Sequence, residues 1–143
     1  LMPVVILKAL QQEPIPVYST GENVCDWLFV EDPVRALLRV LADGTVGETY
    51  TIGGHNEKQN IEVVHAICDI LDDMQPAAGL SSYRDLVTFV IGRPGYDHRQ
   101  ARSVLGCEET TEQIGWSPQV ELPEGISRTV NWIISKIRSD EKL

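Results

Sequence analysis

Apolar positions change their spacing several times along this chain, and each change marks a boundary. After Pro3, a residue tolerated in a first helical turn, Val4, Leu7 and Leu10 recur at helical spacing and predict a short helix over residues 3–12, closed by Pro14 and Pro16. Val17 and Tyr18 begin an extended piece, Ser19 to Asn23 form a glycine-containing turn, and Trp27 to Val30 read as a buried strand. Asp32, as N-cap with Pro33 at the first helical position, opens a helix whose Val34, Leu37, Leu38 and Leu41 trace one apolar stripe. Asp43-Gly44 and Gly47 punctuate a turn. Glu48 to Ile52 then alternate as a strand does, with Thr49 and Thr51 on one side, until Gly53-Gly54.

The second half continues in the same way. Asn60 is a candidate cap for a longer helix with Ile61, Val64, Ile67, Cys68 and Leu71 facing inward, and Glu62 suits its positive end. Gln75 to Ser82 is a loop, and Leu86 to Ile91 is a continuous β-rich run broken by Arg93-Pro94-Gly95. A polar helical stretch is expected near residues 97–104, and Thr110 or Thr111 is placed to cap a short helix ending at Gly115. A final amphipathic helix starts at Pro123 and carries Ile126, Val130, Ile133, Ile134 and Ile137. Strands interleaved with helices, without internal repeats, predict an α/β fold with a small mixed sheet and flanking helices, organised as one domain over 1–143.

Composition narrows the functions. The 143 residues are 43% apolar, enough for one core, and a formal net charge of −9 opposes nucleic acid or an anionic membrane surface as partner. One phosphorylated ligand is still compatible, because a single well-placed arginine or a helix amino terminus holds a diphosphate locally. Cys25, Cys68 and Cys107 are far apart and share no metal-ligand spacing with His55, His65 or His98, so a reduced, cytoplasmic setting without a metal is expected. No run of about 18 apolar residues predicts a membrane span, and no charged-then-apolar leader precedes the first helix. Leu1 runs straight into a helical pattern, as in a piece of something longer.

Several blocks carry a family resemblance. Pro16-Val17-Tyr18, Gly21 and Asp26-Trp27-Leu28-Phe29-Val30-Glu31-Asp32 resemble a segment of extended short-chain dehydrogenase/reductases acting on nucleotide sugars. GETYTIGGHNEKQNIEVV from Gly47 to Val64, YRDLVTFVIGRPGYDHR from Tyr83 to Arg99 and IGWSPQ from Ile114 to Gln119 sharpen this towards the dTDP-glucose 4,6-dehydratases. The resemblance implies the carboxyl-terminal, sugar-nucleotide-binding lobe of such an enzyme, whose NAD sits in an amino-terminal Rossmann domain. That lobe alone would expose apolar surface that the Rossmann domain covers. The glycines here make no G-x-G-x-x-G, and no tyrosine has lysine four residues later, so neither an NAD seat nor a catalytic residue is carried over. NAD is therefore expected in the complete family enzyme and not on this chain alone.

The resemblance assigns substrate contacts to six positions. Leu1 lies in the family's Leu-Ile-Pro segment beside the substrate. Pro16 and Tyr18 match positions that pack around the thymine and nucleoside, although Tyr18 read as bare sequence is a core or turn residue. Asn60 matches an asparagine near the nucleotide and is equally a helix cap. Arg93 matches an arginine that meets the diphosphate, for which its planar fork is suited. Tyr96 stands where the family has histidine. Asp26 and Asp32 are framework acids rather than a catalytic pair, and His55 is a loop residue rather than a base.

Cys25 replaces an arginine that pairs with the diphosphate in the family. The loss is worth ~1.5–3 kcal/mol, about tenfold to a hundredfold in affinity, so binding of a dTDP-sugar is expected to be weak. The implied reading is an inactive half of a deoxysugar-forming lyase. Two alternatives stand beside it: a non-catalytic nucleotide-sugar-binding or regulatory module, and a subunit that completes an active site with a separately encoded Rossmann chain.

Overall fold

The structure, a computed structural model, describes residues 1–91, 102–103 and 108–140. In chain order it contains α1 (Met2–Leu10), β1 (Ile15–Tyr18), β2 (Val24–Asp26), α2 (Glu31–Asp43), β3 (Glu57–Gln59), α3 (Asn60–Met74), a 3-10 turn (Tyr83–Leu86), β4 (Val87–Val90), β5 (Arg102–Ser103), α4 (Glu108–Ile114) and α5 (Leu122–Asp140). The α/β class is as the patterning predicts. The strands form two small sheets, β1 beside β4 and a second in the order β3-β2-β5. The chain divides into two compact units: Leu1–Asn23 with Gln59–Ala101 and Ile126–Leu143, and Val24–Lys58 with Arg102–Gly125.

In the first unit, α3 contributes Val63, Val64, Ile67, Cys68 and Leu71 to the core, α1 contributes Val5, Ile6 and Ala9, and β1 contributes Ile15 and Val17. The face of α1 is not the one its spacing suggests. Val4 and Leu7 are exposed, because Met2–Leu10 is apolar almost all round and periodicity alone cannot choose a side. Residues 126–134 of α5 turn Ile126, Val130, Ile133 and Ile134 inward as expected, with Ile137 half-buried.

The loop after α3 is pinned by polar contacts rather than by packing. Tyr83 donates its backbone N–H to Asp72 at 2.9 Å and its hydroxyl to the Gln75 carbonyl at 2.8 Å, while Arg84 grips Asp69 with two nitrogens. These contacts launch β4 in parallel register with β1, from Ile15 opposite Val87 to Tyr18 opposite Val90. The Arg84 guanidinium holds the Asp69 carboxyl below its ordinary range. Burial, helped by the charges of Asp72 and Asp69, pushes the Cys68 thiol up to about 12, so it serves as a core side chain and not as a nucleophile.

The second unit is organised by two carboxylates. Asp26 accepts from the backbone N–H groups of Gly54 at 2.6 Å and Asn56 at 2.8 Å. Asp32 is fully buried and accepts from the backbone N–H of Gln119 at 2.9 Å, from that of Val120 at 3.1 Å, and from Arg35. Framework roles for both acids agree with the sequence reading, but Asp32 is not the N-cap. The helix starts two residues earlier, at Glu31 behind Val30, and the Asp32 carboxylate is directed inward to the 119–120 amides.

Three further expectations are corrected here. Trp27 to Val30 form no strand. Val24–Asp26 take the ladder positions instead, Trp27 donates its N–H to the Asn56 carbonyl, and Val30 is exposed at the entry to α2. Glu48 to Ile52 form no strand either: the Thr51 N–H donates to the Thr110 hydroxyl at 2.8 Å, and no ladder partner lies beside the tract among the described residues. Thr110 is accordingly buried within α4, which starts at Glu108, and neither it nor Thr111 is a cap. The helix expected over 97–104 falls largely outside the described residues, and at Arg102–Ser103 the chain is a strand paired with Val24 and Cys25.

Burial raises the pKa of Asp32, but the Gln119 N–H, Arg35 and the Val120 N–H together outweigh it and leave the value below its ordinary 3.8. A depressed folded pKa contributes stability that is present above the unfolded value and lost as pH falls through the folded one. Urea denaturation across pH 2–7 should therefore show stability falling below about pH 4. Asp32→Ala should cost ~1–3 kcal/mol at neutral pH, leaving the buried Val120 N–H without its acceptor, and remove this share of the acid dependence.

Candidate nucleotide-binding site

The carboxyl ends of parallel strands are where open α/β sheets receive ligands, because side chains and loops there are released from the ladder together. In the first unit that edge is the end of β1 and β4. Ser19, in a left-handed conformation at φ 56°, donates its N–H to the Val90 carbonyl at 2.9 Å and extends the parallel pairing by one residue. The chain then reverses at Gly21, φ 74°, whose carbonyl accepts from the Ile61 N–H at 3.0 Å. A Cβ there would lie 2.8 Å from Val17 Cγ1 and 2.9 Å from Ile61 Cβ, so only glycine lets the strand end touch the start of α3.

Three of the six expected contact residues lie on β1 and α3, the elements that meet at this turn. Pro16 lies within β1, opposite Thr88; Tyr18 is its last residue and remains 51% exposed; Asn60 is the first residue of α3. Pro16 supplies no N–H, which suits a strand paired, among the described residues, with β4 alone. Leu1 is exposed just before α1. Arg93 and Tyr96 lie outside the described residues; in sequence they follow β4 and its exposed neighbour Ile91.

Asn60 is not the cap. Gln59 holds that position in a capping box, its backbone N–H donating to Glu62 at 2.7 Å, and Asn60 donates its own N–H to the Asn23 carbonyl at 3.0 Å. With the Asn60 and Ile61 amides committed and the Glu62 carboxylate beside them, the start of α3 offers no open anion seat. The family resemblance implies a different source of phosphate contact, the side chain of Arg93. The glycine turn and the Asn23 and Gln59 contacts were not singled out as site features in the sequence. A Gly between an apolar strand and a Gln-x-x-Glu capping signature is the pattern that could have found them.

The remaining sequence candidates fall elsewhere. Cys25 is half-buried on β2, paired with Ser103. His55 sits exposed in a left-handed turn, φ 54°, after Gly54, where a Cβ would fall 2.3 Å from the Trp27 carbonyl oxygen. Among the described residues no three His, Cys, Asp or Glu side chains gather as a metal site, and no helix is long and apolar enough to cross a membrane.

A family model described as GDP-mannose 4,6 dehydratase matches residues 1–129. The chain belongs to the GDP-mannose 4,6-dehydratase family. It is 46% identical over 135 residues to the dTDP-glucose 4,6-dehydratase of Escherichia coli, and 48% identical over 136 residues to that of Neisseria meningitidis serogroup B. Each alignment covers 94% of this chain but only 36% and 38% of the relative, so the chain spans little more than a third of the length of the relatives it matches. The dTDP-glucose 4,6-dehydratase of Bacillus anthracis, solved in complex with NAD, superposes with a TM-score of 0.77 at 32% identity, over 94% of this chain and 39% of that one. The Streptomyces venezuelae enzyme, solved with NAD and a second ligand bound, gives a TM-score of 0.75 at 32% identity.

The described residues do not fit NAD. A dinucleotide pyrophosphate needs glycines where a strand turns into a helix, yet β3 runs directly into α3 and β2 reaches α2 through Trp27-Leu28-Phe29-Val30. Gly21→Ala tests the edge that is present. Forcing a side chain into that left-handed, crowded position should cost on the order of 1–3 kcal/mol, read by urea denaturation.

Proposed function

We propose that this chain is the nucleotide-gripping lobe of a nucleotide-sugar dehydratase, taking the dTDP moiety at the carboxyl edge of β1 and β4 and supplying none of the groups that carry out the reaction. The observation that carries this reading is the Gly21 turn. It holds the turn that follows β1, whose last residue is the exposed Tyr18, against Ile61 in the first turn of α3. An aromatic face suits a planar base, and Arg93, next along the chain from β4, suits the diphosphate. The relatives' names support the substrate class.

In the whole enzyme this lobe acts through binding energy. Contacts to a nucleotide remote from the reacting carbons hold the sugar in place for acids, bases and NAD provided by the remaining length, so loss of grip is felt in turnover as well as in affinity. The lobe belongs to deoxysugar formation in a reduced, cytoplasmic setting.

Calorimetric titration with dTDP tests the assignment. Weak binding is expected, and Arg93→Ala should lower it by about a further tenfold to a hundredfold by removing a charge-assisted phosphate contact. Low-micromolar binding by the unaltered chain, indifferent to Arg93, would sink the account of the diphosphate grip.

A further inference from the structure

Helix α3 holds both strands of the candidate edge, one near each of its ends. Its first turn receives the chain after β1: the Ile61 N–H donates to the Gly21 carbonyl and the Asn60 N–H to the Asn23 carbonyl, each at 3.0 Å. Near its other end two acids receive the segment that leads into β4. Asp72 accepts from the Tyr83 N–H at 2.9 Å with one oxygen and from the Ser82 hydroxyl at 2.6 Å with the other, while Asp69 takes the Arg84 guanidinium. Ser82 caps the 3-10 turn, its hydroxyl oxygen accepting from the Arg84 N–H at 3.0 Å, and Tyr83 behind it is buried. β4 begins where this turn ends, at Val87.

These contacts close a circuit. From Ile61 to Asp72 the helix advances about 16 Å, at roughly 1.5 Å per residue. The 3-10 turn followed by β4 advances about 21 Å, at roughly 2 Å and 3.3 Å per residue in turn. The two paths are therefore comparable in length. They are joined at one end by Asp72, and at the other by the Val90 carbonyl, which accepts from the Ser19 N–H at 2.9 Å just before the Gly21 reversal.

Only one register of β4 satisfies both ends. A slip of one residue moves the strand about 3.3 Å, farther than a hydrogen bond stretches, and turns its other face outward. In the observed register Thr88 and Val90 stand opposite Pro16 and Tyr18; a slip of one would put Val87 and Phe89 there. Packing does little to choose between them. None of the four β4 side chains is fully buried, and Phe89 is 58% exposed.

We propose that Asp72 is a positioning residue for the nucleotide edge: it anchors the start of β4 to α3 and thereby decides which face of β4 stands beside Tyr18. Asp69 assists through Arg84. The proposal rests on the reading of this edge as the place where the dTDP moiety is held, and adds to it a residue that acts through strand register and not by contact with the ligand.

Amide hydrogen exchange and dTDP titration, both followed by NMR on the same variants, test it. The Ser19 amide reports the register, because its bond to Val90 requires β4 at the observed height. Asp72→Asn keeps the shape of the side chain but leaves one acceptor oxygen for two donors; it should speed Ser19 exchange and weaken dTDP binding, each by about fivefold or more, with α3 amides still protected. Asp73→Asn, the same loss of charge at an exposed neighbouring position, should change neither. Arg84→Asp should act in the same direction as Asp72→Asn, and adding Asp69→Arg should restore both readouts. Unchanged Ser19 exchange in Asp72→Asn would overturn the proposal. So would faster exchange spread evenly over α3 and β1, the mark of lost stability alone, or faster Ser19 exchange with dTDP affinity intact. If Asp72→Asn does not fold, Ser82→Ala, which removes one hydroxyl from the same contact, gives the same decision. An unaltered chain that binds no dTDP counts against the nucleotide reading, and Ser19 exchange then decides by itself whether Asp72 sets the register.

Discussion

The close approach at Gly21 is the constraint on which the candidate site depends. A strand end, a reversing turn and a helix start meet within van der Waals distance there, and two backbone hydrogen bonds, to the Gly21 and Asn23 carbonyls, consume the amides that a helix start otherwise presents to solvent. The helix gains a fixed origin and loses its capacity to hold an anion. An anion proposed for this edge would therefore be met by side chains rather than by the amides that open α3.

Two carboxylates, the buried Asp32 and the half-buried Asp26, do comparable work in the second unit. Asp26 ties β2 to the Gly54–Asn56 turn and Asp32 ties α2 to the 119–120 segment, each by paired backbone donors. In a charged protein with few aromatics, such contacts fix sequence-distant segments with a precision that apolar packing alone does not provide. The same residues explain why two acids inside a family signature are poor candidates for acid-base chemistry. Their oxygens are already occupied, and Asp32, held below its ordinary pKa, is a weak proton acceptor at neutral pH.

How much of this was legible in the sequence depends on how local the determinant is. The inward faces of α3 and α5, the β4 run and the Pro123 helix start follow from spacing within one element, and the structure places them as the spacing predicts. The face of α1, the cap of α2 and the role of Thr110 depend on what lies across space, and each was misjudged for that reason. Asp32 has the sequence form of a cap but is recruited by amides far along the chain. Of the candidate site, Pro16, Tyr18 and Asn60 come from the resemblance, whereas the contact of Gly21 with Val17 and Ile61 is visible only in three dimensions.

The stripe on α2 and the alternation from Glu48 to Ile52 belong to a different class of discrepancy. Neither pattern is weak: four large apolar side chains on one arc, and threonines alternating with Tyr50 and Ile52, are among the clearest periodicities in the chain. A wrong secondary-structure reading ordinarily leaves its apolar residues buried in some other arrangement. Here the stripe is left exposed, and the strand-like tract has no ladder partner among the described residues, so neither pattern is explained by the packing around it.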